Sequence, residues 1–163
     1  MIYNSLLNKG ISKKGEYKQL LTFLKSKKPK DLDKTIQGFH QETFNEIDCL
    51  KCANCCKTTS PAIYENDIDK MAKYLKIKPG IFLEKYLTID TDNVYMFKNA
   101  PCPFLGVDNY CSIYESRPKA CREYPHTDRK RFYQITNITY KNIEICPVVV
   151  TVLDKLKSHY QRG

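Results

Sequence analysis

The stretch CLKCANCC, from Cys49 to Cys56, places four of the chain's eight cysteines within eight residues, at spacing C-x2-C-x2-C-C. A fold seldom concentrates thiols so tightly unless something binds them. The other four, Cys102, Cys111, Cys121 and Cys146, lie far along the chain. A site drawing on both groups would pin the two halves of the protein together. In a secreted chain this count would suggest disulfides, but in a reducing compartment clustered thiols more often hold metal or carry out redox chemistry. Binding is therefore the first expectation and catalysis the second.

At 163 residues the chain fits a single domain. Residues 1–30 are expected as a peripheral N-terminal segment and residues 31–163 as one cysteine-cluster domain. The formal charge is +9, which favours acidic partners such as nucleic acid, anionic lipid or acidic protein surfaces. Thiolates holding divalent ions would lower that charge while leaving it basic, so it says little for nucleic acid. The N-terminus lacks the unbroken apolar core and small-residue cleavage site of a secretory signal, and a cytoplasmic location is expected. No stretch approaches 18 consecutive apolar residues, so no membrane span is expected.

The pattern along the chain is mainly helical. Leu20, Leu21, Phe23 and Leu24 make one short amphipathic face before KSKKPK breaks it. Asp31 is read as the cap of a helix whose apolar positions are Leu32, Ile36, Phe39, Thr43 or Phe44, and Ile47. His40 within it is read as packed or exposed rather than as a ligand. Ile68, Met71, Ala72 and Leu75 recur at helical spacing behind Asn66 as cap, and Pro79 suits the first position of another helix. Asp90 to Asn93 reads as a turn leading into a strand over residues 94–97. Cys102, bracketed by Pro101 and Pro103, and Cys111 are expected on a short hairpin turned at Gly106 to Asn109. Residues 129–142 fit either strand or helix. Ile145, Val148, Val149, Val152, Leu153, Leu156 and Tyr160 form one stripe of a closing helix. The expected fold is α+β, mainly helical, with short strands or a hairpin organised around a cysteine metal cluster.

Thiolates bind borderline and soft ions, which points to zinc, or to iron with or without inorganic sulfide, and excludes calcium and magnesium as natural guests. Cys49 and Cys52 can share a metal from one tight loop, with Cys55 or Cys56 as a third ligand. Side chains of adjacent residues diverge, so Cys55 and Cys56 suit different roles. Two four-sulfur sites would use all eight thiols, and one such site surrounded by four outer thiols fits equally. Arg117 and Arg122, held between cysteine and proline, are candidates to donate N–H groups to sulfur.

The ordered set CLKCANCC, PCPFL and YCSIYESRPKACREYP resembles the YkgJ-type cysteine-cluster family, described as zinc- or iron-chelating proteins. The resemblance covers about residues 45–150. It implies that the motif cysteines are Cys49, Cys52, Cys55, Cys56, Cys102, Cys111 and Cys121, completed by Cys146. Most members are stand-alone domains without an assigned activity. The flagellin lysine methylases are relatives whose similar cluster is associated with an iron-sulfur centre and methyl transfer from S-adenosylmethionine. This chain carries the cluster part and no glycine-rich nucleotide loop.

The leading expectation is a cytosolic metal-binding protein that chelates zinc or an iron-sulfur cluster, a 4Fe-4S centre included, through its clustered cysteines. The alternative is an iron-sulfur-dependent modifying or redox enzyme, with Tyr114, Tyr124, His126 and Asp128 as acid-base groups. A nucleic-acid-binding zinc module, using Arg129 to Arg131 with Phe132 and Tyr133, ranks last. The sequence names no substrate, protein partner or oligomeric state.

Overall fold

Helical patterning carries through to the structure, a computed structural model that describes residues 3–161 and is a mainly helical α+β fold. Its helices are α1 (Asn4–Ser12), α2 (Lys14–Lys27), α3 (Leu32–Glu46), α4 (Cys49–Cys52), α5 (Asn54–Thr58), α6 (Glu65–Tyr74), α7 (Pro79–Tyr86), α8 (Lys119–Glu123), α9 (Thr136–Asn142) and α10 (Pro147–Tyr160). Two short strands, β1 (Leu87–Ile89) and β2 (Tyr95–Phe97), lie between α7 and α8. The chain divides into two compact units, one formed by Met1–Cys52 with Pro125–Gly163 and the other by Ala53–Tyr124. No helix among the described residues is long and apolar enough to cross a membrane.

The first unit is built on α10, against which α1, α2 and α3 pack. The apolar stripe read from the sequence is realised: Val148, Val149, Val152, Leu153 and Leu156 are fully buried, and Val150 joins them. Each such side chain contributes about 1.5–3 kcal/mol of transfer free energy. Pro147 occupies the first turn, where its missing N–H costs nothing. On α1, Gly10 permits the close approach to α10, since a Cβ there would stand 2.6 Å from Val150 Cγ2. Of the apolar face on α2, Leu20, Leu21 and Leu24 are buried, while Phe23 is exposed.

Two local details of this unit differ from the sequence reading. Asp31 occupies the position before α3 but makes no side-chain bond to the helix backbone. Its carboxylate instead accepts from Tyr160 Oη at 3.0 Å and meets His159 Nε2 at 3.2 Å, so a tertiary partner displaces the local cap. Residues 129–142 resolve as a 3-10 turn, Phe132–Gln134, followed by α9. Asp33 explains the turn, because its carboxylate accepts from the main-chain N–H of Arg131 (2.7 Å) and Phe132 (3.0 Å). Phe132 is thereby fully buried and has no face to offer a nucleic-acid base.

Asp154 of α10 gives this unit a pH dependence. Its carboxylate accepts from Tyr17 Oη at 2.7 Å and pairs with Lys9, with Lys13 at 3.8 Å. Burial pushes its pKa up, but the Lys9 and Tyr17 hydrogen bonds and the charges of Lys9 and Lys13 more than offset this and hold it below the ordinary value. A carboxylate with a depressed folded-state pKa stabilises above its unfolded pKa, near 3.9, and loses that contribution as pH falls through the folded value. The urea midpoint of Asp154→Asn is therefore expected below that of the parent at pH 7, with the gap closing on acidification below about pH 4. A gap independent of pH would assign the loss to packing instead.

In the second unit α6 packs on α7 and β1 pairs with β2. The strands are antiparallel in register Leu87↔Phe97, Thr88↔Met96, Ile89↔Tyr95. Asp90 closes their turn as expected, Oδ1 accepting from Asp92 N and Val94 N, both at 2.9 Å. Ile68, Met71, Phe82, Phe97, Phe104 and Ile113 form the centre of the core, and Cys102 and Cys111 pack against its edge. The expected cap Asn66 does not serve as one: α6 begins after Tyr64, whose N–H is accepted by Asp67 Oδ2 at 3.2 Å. The hairpin expected over residues 102–111 reduces to a single bridge, Leu105↔Cys111, around a turn closed by Gly106 N–H to Tyr110 O at 2.8 Å.

Candidate metal centre

Among the described residues none of the eight cysteines is in a disulfide. In the first unit Cys49 and Cys52 bound α4, a single helical turn in which positions i and i+3 share a face. Asp48 starts that turn, its Oδ1 accepting from Leu50 N at 2.9 Å. Cys146 stands at the N-cap of α10, its own N–H bonded to Asn142 O at 2.8 Å. Burial pushes its thiol up to about 12; the Val149 and Val148 amides oppose that shift by donating to the sulfur, while Cys49 and Cys52 add to it. Cys146, some ninety residues later in sequence, thus lies within electrostatic reach of the C-x2-C pair.

In the second unit α5 presents Cys55 and Cys56 and is entered through Ala53 in the left-handed region (φ 47°, ψ 19°). That backbone reversal breaks the helical run between Cys52 and Cys55. Cys56 O accepts from Cys102 N at 2.8 Å, which fastens the PCPFL segment to α5. Ser112 N, next to Cys111, donates to Phe104 O at 2.9 Å. Cys121 rides on α8.

The electrostatics join four of these thiols. Burial pushes Cys121 up to about 12, and Cys56, Cys102 and Cys111 add to the shift while Arg117 opposes it. Burial likewise takes Cys102 to about 11 against amide bonds from Phe104 and Leu105, and raises Cys111 against an amide bond from Ile113. Cys56 goes the other way, to about 7: a hydrogen bond with Cys55 lowers it, burial opposes, and the charges of Arg117 and Lys57 lower it further. Main-chain N–H groups aimed at buried sulfur are the surroundings that a thiolate ligand requires. Buried thiols held neutral without a cation are those that a metal ion would deprotonate on binding. The donor chemistry therefore fits a thiophilic ion. The side chains are grouped rather than closed, for among the described residues no three Cys, His, Asp or Glu donors already converge as ligands.

The two arginines have different places. Arg117 stacks on Tyr114, its guanidinium carbon 3.4 Å from the ring centroid, and donates from Nε to Tyr114 O at 2.8 Å. From there its charge reaches Cys56, Cys111 and Cys121. Arg122 donates from Nη1 to the Arg117 carbonyl. Tyr114, read as an acid-base candidate, is the platform under Arg117. Asp128 stands 4.0 Å from His40 Nε2, and His40 Nδ1 meets Thr127 Oγ1 at 2.7 Å, so His40 is engaged away from the cysteines. His126 lies in the left-handed region, and Tyr124 is the last residue of the second unit. The sequence reading did not single out Asp67, a buried carboxylate whose Oδ1 accepts from Lys119 N at 2.9 Å.

A family model, CxxCxxCC, described as "putative zinc- or iron-chelating domain", matches residues 48–147. An uncharacterized protein of Methanocaldococcus jannaschii, MJ0661, is 33% identical over 95 residues, which cover 56% of this chain and 50% of that protein. The chain thus spans about half the length of the curated relative it matches. No solved structure matches it significantly.

Proposed function

We propose, for a chain that belongs to the CxxCxxCC family, that its function is to chelate zinc or iron through the eight cysteines. The observation that carries this reading is the grouping of the half-buried thiols Cys56, Cys102, Cys111 and Cys121, with the Arg117 charge reaching Cys56, Cys111 and Cys121. These four would supply one sulfur ligand set, with Cys55 hydrogen-bonded at its edge. Cys49, Cys52 and Cys146 would supply thiolates in the first unit. A bound ion would provide the positive charge that lets Cys102, Cys111, Cys121 and Cys146, which burial holds above the ordinary thiol range, ionise. Arg117 would offset part of the remaining negative charge, and the amides of Phe104, Leu105, Ile113, Val148 and Val149 would hold the sulfurs in place. A cytoplasmic setting agrees with reduced thiols.

Protein purified without oxygen is expected to contain at least one equivalent of zinc or iron, and acid-labile sulfide together with a brown colour if the iron is in a cluster. Less than half an equivalent of every metal in folded protein, with none taken up on titration, would overturn the reading.

A further inference from the structure

We infer that Asp67 is a positioning residue of the four-thiol set, holding Cys121 and Arg117 in place through the main chain of α8; the inference rests on the chelation reading above. Asp67 is 5% exposed. A carboxylate that deep is costly unless its oxygens are bonded, and both are. Oδ2 accepts from Tyr64 N, which fixes the carboxylate to the start of its own helix, and Oδ1 crosses to Lys119 N at 2.9 Å.

Each side of this bond leads somewhere definite. Behind Asp67, α6 is anchored by Ile68, Met71 and Ala72 in the core. Ahead of it, Lys119 is the first residue of α8, whose amide has no partner within the helix. Arg117 lies two residues before that amide and Cys121 two residues after. The Lys119 ammonium is directed away, to Glu123 Oε1 at 3.7 Å, so the carboxylate recognises the backbone rather than the lysine charge. A charge-assisted bond to a main-chain N–H is about twice as strong as a neutral one, and here it ties a rigid helix to a five-residue helix with little burial of its own. Removing it takes away the bond that ties the first residue of α8 to α6.

The lysine side chain is thus dispensable and its N–H is not, which separates the variants. Lys119→Ala keeps the amide, whereas Lys119→Pro deletes it at a first helical position that proline accepts. Pro118 already has the extended conformation (φ −54°, ψ 152°) that a following proline demands. Asp67→Asn keeps an acceptor oxygen and Asp67→Ala removes it.

The test titrates the full chain, metal-free and reduced, with zinc in competition with a chromophoric chelator, and with cobalt(II) to read the sulfur-to-metal absorption band. Loss of a partner that orients a ligand costs about 10–100-fold in metal affinity. Asp67→Ala and Lys119→Pro are expected to weaken zinc by about tenfold or more and to reduce the cobalt-thiolate band. Lys119→Ala should match the parent, and Asp67→Asn should recover most of the loss. A metal-independent reading accompanies this: alkylation of Cys121 in the metal-free protein, followed by mass spectrometry, should be faster in Asp67→Ala and Lys119→Pro than in the parent. If the parent binds no metal the chelation reading fails, and Cys121 alkylation still decides the positioning role. Parent-like affinity and alkylation in Lys119→Pro would overturn the inference, whether or not Asp67→Ala folds.

Discussion

Cys121→Ser is expected to weaken zinc binding at the four-thiol set by more than about 100-fold, beyond the upper range for loss of an outer partner, because it deletes a ligand rather than its support. Cys121 is the thiol on which the charges of Cys56, Cys102 and Cys111 all act, so its removal opens the set from the α8 side. Competition with a chromophoric chelator measures the affinity. Because binding and folding share one free energy, the thermal midpoint of the zinc-loaded variant should also fall toward that of the metal-free protein. Cys146→Ser alters the first unit and should leave the affinity of the set that contains Cys121 nearly unchanged. Equal zinc affinity in Cys121→Ser and the parent would remove Cys121 from the ligand set.

Phe82→Ala is expected to cost about 3–5 kcal/mol of stability, seen as a lower urea midpoint at unchanged slope. Phe82 is fully buried, its ring parallel within 3° to Phe104 at 6.2 Å and 5.1 Å from Tyr86. Phe104 in turn lies 4.9 Å from Tyr86 and 5.6 Å from Phe97. The effect should pass to the thiols, since the Phe104 amide donates to Cys102 and its carbonyl accepts from Ser112. Zinc affinity should therefore fall with stability. Phe82→Leu, which keeps more of the volume, should lose less of both. A cost below about 1 kcal/mol would mean that the ring cluster relaxes into the space and does not brace the PCPFL segment.

The sequence by itself limited the candidate chemistry and marked the helices α3, α6, α7 and α10, while α2 was legible only as one short face. Eight thiols at motif spacing limit the guest to thiophilic ions whatever the fold, because ligand softness belongs to the residue and not to its surroundings. The stripe on α10 and most of that on α3 were legible because helical periodicity is a local property, repeated over three or four turns. Where one turn offered two candidates the pattern could not choose: at Thr43 and Phe44 the buried position goes to Thr43. Only the tertiary structure brings Cys146 within electrostatic reach of Cys49 and Cys52, and Cys121 within that of Cys56, Cys102 and Cys111. Those groupings join residues some ninety and sixty positions apart in the chain, and spacing carries no information about such distances. The same holds for the capping side chains: Asp31 and Asn66 had the right local chemistry for caps, yet Asp31 is taken by Tyr160 and His159, and Asp67 does the work expected near Asn66. A side chain's local preference is worth about 1 kcal/mol, which a single bond from elsewhere in the fold is enough to override.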